Sequence, residues 1–220
     1  MYHHCPPVKK YPENKSLTLL PHCGKGLIKI SAFVSHRFLN VIKIKGQIVM
    51  STEKIRSSIE GTISYLKANP DKSCIRTSAA VAVLERGLKV RATGFKDEVI
   101  ISDMSPAEGG EGSAPSPGWF LRAAMATCHA TEIAMKAALE GIELSTLEVS
   151  VDSEFDERGI FGIDESVKAG PLNMRTRVRV HADGVAKEKL NEIVEWAKAH
   201  SWVVDAIHRA IPIKLEIEVV

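Results

Sequence analysis

A chain of 220 residues, 45% hydrophobic and formally +2 at neutral pH, is long enough to bury a sizeable core in one domain. The small net charge hides an asymmetry, because residues 1–48 hold eight Lys and Arg against Glu13 alone, giving +7 and leaving −5 for the remainder. A mildly acidic body excludes a general nucleic-acid surface.

The basic leader interrupts its apolar residues with Lys29, His36, Arg37, Asn40 and Lys43, so neither a signal-peptide core nor a membrane span can be drawn in it. It is scarce in acids but not rich in serine or arginine, which leaves a targeting peptide as the weaker reading. Residues 1–49 are read as a basic N-terminal extension, disordered or artefactual, with Met50-Ser51 as the natural start of a single domain over residues 50–220. His3, His4, Cys5, His22 and Cys23 lack the paired spacing of a zinc module, so no metal or other cofactor is expected.

From Ser51 onward, Ile55, Ile59, Ile63 and Leu66 recur at helical spacing, and Asn69-Pro70 stops the helix. Three strands follow in the pattern, about Ile75 to Leu84, Leu88 to Thr93 and Glu98 to Asp103. Glu85-Arg86-Gly87 and Gly94-Phe95-Lys96-Asp97 supply turn chemistry between them, and an antiparallel meander results.

The stretch SPAEGGEGSAPSPGWFLRAAMATCHATEIAMKAALEG, Ser105 to Gly141, is a glycine- and proline-rich loop feeding a long helix. Ser116 is a good N-cap, Pro117 fits the first helical position, and Gly141 suits the left-handed residue that ends a helix. Between them Trp119, Phe120, Leu121, Met125, Ile133, Met135 and Leu139 mix with alanines, so apolar or small residues occupy nearly every face. Such a helix is buried, and this one exposes too much apolar surface for a single small α+β layer to cover, which implies a dimer. It carries one cysteine, Cys128.

Leu147, Val149 and Val151 alternate with polar residues, as do Thr176, Val178 and Val180 with Arg175, Arg177 and Arg179, so both segments read as half-buried strands. The arginines are expected on a solvated face opposite Glu148 or Glu154. Asp152 to Asn173 is a long hairpin connection or mobile loop. Leu190, Ile193, Val194 and Ala197 mark a second amphipathic helix, interrupted at His200-Ser201-Trp202 and continued by Val203, Val204, Ile207 and Ala210. Pro212 closes it before a last strand, Ile213 to Val219.

The order PAEGGEGSAPSPGWFLRAAMATC, a small-residue helix, a strand near Leu147, a second helix and a final strand resembles the OsmC/Ohr family over roughly Cys74 to Val220. The resemblance implies an α+β OsmC-like fold with antiparallel sheets around a central buried helix, and an intertwined homodimer with its sites at the subunit interface. It also implies a cytoplasmic thiol peroxidase that reduces small apolar hydroperoxides. The alternative is a non-catalytic OsmC-fold protein that binds a small molecule or serves in a stress response.

Read from the residues alone, a cysteine buried in a helix is a small apolar residue, and reactivity requires a stabilised thiolate. Cys128 lies beyond the reach of the helix dipole, so a cation is needed. His129 points about 100° away from it and reads as a core or interface histidine. Glu132, one turn on, would raise the thiol pKa unless a cation intervened.

The resemblance makes Cys128 the peroxide-attacking thiol and Arg86 the match for an activating arginine. Its usual glutamate clamp falls at Gly118 and its resolving cysteine at Ser201. The cycle implied is therefore a one-cysteine cycle that draws on an external thiol reductant, with Cys74 the remaining internal candidate. No nucleic-acid or membrane partner is implied.

Overall fold

The computed structural model describes residues 51–209 and 211–220; the expectations for the leader and for Ala210 lie outside the described residues. Helix α1 spans Thr52–Ala68, with Ser51 capping it by accepting from Lys54 N–H at 3.2 Å. Asn69-Pro70 ends it, as the pattern requires. It contacts α2, Pro117–Leu139; Ile55 and Ile59 are partly covered, and Ile63 and Leu66 stay exposed.

Strands β1, Val81–Arg86, β2, Lys89–Thr93, and β3, Val99–Ser102, form the expected antiparallel meander in the order β1-β2-β3. The first strand is shorter than predicted. It begins at Val81, because residues 75–80 find no ladder partner among the described residues. Near its other end, the register skips Glu85 between Leu84 and Arg86. Such a bulge re-aims the following side chain, here Arg86.

Strand β4, Thr146–Glu154, pairs antiparallel with β5, Asn173–His181, without interruption. Their outward face carries the arginines. Arg175 and Arg177 both bond Asp152, at 3.2 and 2.6 Å, and Arg179 bonds Glu148 at 3.3 Å. Glu154 is taken instead by Asn173, its register partner. The connection between the strands is a structured hairpin, with a one-turn helix α3, Glu157–Ile160, capped by Asp156.

The inward face of β4–β5 packs on α2, whose other side meets α4, Lys187–His200, and α5, Trp202–His208. Ile133, Ala137, Ile193 and Ala197 are sealed where α2 and α4 meet, with Leu147, Val149 and Val178 of the sheet closing over them. Alanines at this crossing let the two backbones approach closely. Lys136, Glu140 and Lys189 clasp its rim: Glu140 lies 2.8 Å from Lys136 and 2.5 Å from Lys189. These two cations hold its carboxyl below the ordinary range.

One further expectation is met in part and one is corrected. The residues of α2 that are fully buried, His129, Ile133, Ala137 and Ala138, all lie in its C-terminal half, whereas Trp119 and Leu121 remain exposed. Among the described residues, the N-terminal half of the helix is covered only in part. The segment Ile213 to Val219 forms no strand among the described residues, and Ile213 and Val219 are 91% and 90% exposed. A strand is defined by its partner, and the described residues supply none there.

Candidate functional site

The loop before α2 sets where the helix begins. Asp103, at the end of β3, is buried, and its carboxylate accepts four hydrogen bonds. These come from Met104 N–H at 2.8 Å, Glu111 N–H at 3.2 Å, Ser113 N–H at 3.0 Å and the Ser113 hydroxyl at 2.8 Å. The Ser113 N–H leads in holding this carboxyl below its ordinary range, against burial, which pushes it up. The loop wraps so tightly that a Cβ on Gly110 would overlap the Met104 carbonyl. This accounts for Gly110, and Gly109 takes a left-handed φ of +89°. The anchor was missed in the sequence, where Asp103 read only as the end of a strand.

Ser116 then caps α2, accepting from Trp119 N–H at 3.3 Å, and Pro117 occupies the first helical position. The helix closes at Gly141, with φ +72°, and Ile142 N–H reaches back to the Ala137 carbonyl at 2.9 Å.

Cys128 sits partly buried near the middle of this helix. Its Sγ accepts a hydrogen bond from the Ser201 hydroxyl at 3.2 Å, across 73 residues of sequence. Ser201 is 0% exposed and stands at the break between α4 and α5, where its Oγ also accepts from Val204 N–H at 3.5 Å. The interruption read in the sequence thus brings a hydroxyl onto the sulfur.

Arg86 is placed elsewhere. Its guanidinium meets Glu111 of the Gly-Gly loop at 2.9 Å, with both side chains more than half exposed. Gly118 leaves its position without a carboxylate; the nearest side-chain atom to a Cβ there would be an Arg122 nitrogen at 3.9 Å. Glu132 has no hydrogen-bond or ion-pair partner among the described residues. His129 is buried, and neither ring nitrogen has a hydrogen-bond partner among the described residues. It stands with the core, as its helical angle from Cys128 indicated. Cys74 is exposed and free. No group of three or more His, Cys, Asp and Glu among the described residues could hold a metal ion.

Residues 110–216 match the family model described as OsmC-like protein, a span that includes Cys128 and Ser201 and begins after Arg86. Over that span the chain is similar to the OsmC-like family. Solved OsmC-like structures share its fold. The OsmC-like protein of Mycoplasma pneumoniae aligns with a TM-score of 0.52 and 14% identity, over 61% of this chain and 89% of that one. An OsmC-like protein of unknown function from Vibrio cholerae gives 0.51 and 13%, over 60% and 94%. The organic hydroperoxide resistance protein of Bacillus subtilis gives 0.43 and 19%, over 66% and 100%. No curated protein matches the chain.

Proposed function

We propose that the protein is a thiol-dependent organic hydroperoxide reductase in which Cys128 carries a one-cysteine cycle. The observation behind this reading is the 3.2 Å approach of Cys128 Sγ and Ser201 Oγ. The OsmC/Ohr resemblance pairs a peroxide-attacking cysteine with a resolving one at these two positions, and the fold brings them together. In the cycle, the Cys128 thiolate attacks the terminal peroxide oxygen and the O–O bond breaks. The leaving alkoxide takes a proton to become an alcohol, and the sulfur, oxidised by two electrons, is left as sulfenic acid. A hydroxyl cannot form a disulfide with it. An external thiol condenses instead, releasing water, and a second thiol frees Cys128 and leaves as the disulfide.

Arg86 is the cation of this reading, and Glu111 holds it in place of the carboxylate absent at Gly118. The site is completed by a homodimer. Two observations support the second copy: a meander that makes no substantial contact with any described helix of its own chain, and an extended C-terminal segment with alternating apolar residues and no strand partner among the described residues. No helix among the described residues is long and apolar enough to cross a membrane. Free Cys74 and Cys128, with an external thiol as reductant, suit a cytoplasmic setting.

The test is hydroperoxide consumption with a thiol reductant. Cys128→Ser should abolish it, because oxygen cannot enter the sulfenic acid cycle. Ser201→Cys should open an internal route, seen as a disulfide after one equivalent of hydroperoxide. If wild type consumes no more hydroperoxide than Cys128→Ser, the enzyme reading is wrong. The exposed Arg86–Glu111 pair, with no bond to the sulfur, favours the second reading, a non-catalytic binding protein with an inert Cys128.

A further inference from the structure

We propose that Ser201 is the donor that holds the Cys128 thiolate, stabilising the charged sulfur from within the same chain. This rests on the peroxidase reading above and goes beyond it, because that reading uses position 201 only as the place where a resolving thiol is missing. Among the described residues, the Ser201 hydroxyl is the one hydrogen-bond donor to Cys128 Sγ. A serine hydroxyl has a single proton, and its direction decides what it stabilises. Val204 N–H donates to Ser201 Oγ at 3.5 Å, which engages the oxygen as acceptor and leaves its proton for the sulfur. The hydroxyl is therefore oriented before any charge develops.

Its position is fixed as well. Ser201 ends α4 and caps α5, with φ −72° and ψ 116°, so two helices set the direction of its Cβ. It is 0% exposed, so water does not compete for its proton. A thiolate accepts a hydrogen bond more strongly than a thiol, and a donor held in a water-poor place favours the charged form. Arg86, engaged with Glu111 by an exposed ion pair, forms no bond with the sulfur in this chain. Ser201 thus supplies locally the thiolate stabilisation that the helix dipole, three turns away, does not. Serine also survives each turnover unoxidised, so the sulfenic acid stays open to a small external thiol.

The experiment follows alkylation of Cys128 by iodoacetamide against pH, reading its own peptide by mass spectrometry so that Cys74 and the leader cysteines do not contribute. Hydroperoxide consumption is measured in parallel. The inflection of the wild-type profile is the reference. Ser201→Ala should move it upward and slow alkylation at pH 7 by about tenfold, the size of one lost hydrogen bond to a charged group. Ser201→Thr, which keeps the hydroxyl, should restore most of the shift. A Ser201→Ala inflection equal to that of wild type, with hydroperoxide still consumed, overturns the role of Ser201 and leaves the peroxidase standing. Absence of consumption by wild type overturns the peroxidase reading itself.

Discussion

The two sheets of this chain are built alike and end differently. Both are antiparallel and both are rich in β-branched apolar residues, yet β4–β5 lies on α2 with its inward valines covered, while β1 is exposed on both faces. Val83 and Leu84, adjacent in β1 and therefore on opposite faces, are 60% and 62% exposed. The difference teaches that an apolar pattern specifies a surface to be covered and leaves open which chain covers it. The covered half holds the sulfur and its serine. The open half holds Arg86.

The comparison is broken most forcefully in the covered half. Ile133 is fully buried against α4, and Ile133→Ala should cost about 3 kcal/mol in urea unfolding, within the usual range for an aliphatic residue cut to alanine. A loss under about 1 kcal/mol would mean that this core closes up around the cavity.

In the open half, Val83→Asp separates the two accounts of the meander. If a second copy covers the sheet, light scattering should show a wild-type dimer at micromolar concentration and a dissociated variant. A monomeric wild type would remove the dimer from the proposal. A dimeric variant as stable as wild type would place the interface elsewhere.

Between the halves, the Asp103 anchor should respond to acid. Its carboxyl is held below the ordinary value, led by the Ser113 N–H, so its stabilising effect is full above about pH 4 and fades as pH falls through the lowered folded value. Hydrogen exchange at the Ser113 amide, corrected for its intrinsic rate, should accelerate below that point. Asp103→Asn should show fast exchange at every pH. Equal protection in both proteins would mean that Asp103 does not anchor the loop.

The smallest effect is expected from the leader. Deleting residues 1–49 should leave the melting temperature nearly unchanged, because no periodic apolar pattern ties them to the domain. A fall of many degrees would make the leader part of the fold.

What the sequence by itself determined were the local features. Ser116, Pro117 and Gly141 bounded α2, Asn69-Pro70 ended α1, and His200-Ser201-Trp202 marked the break before α5, because caps and breakers act through a few neighbouring backbone groups. The motif around Cys128 carried the family. Only the tertiary structure decided which groups meet: Ser201 on Cys128 from 73 residues away, Glu111 on Arg86, and four donors on Asp103. It also shortened β1 and left Ile213 to Val219 without a ladder. The reason is physical. A hydrogen bond between distant residues depends on how helices and loops pack, and a strand needs a partner that its own alternation of side chains cannot name.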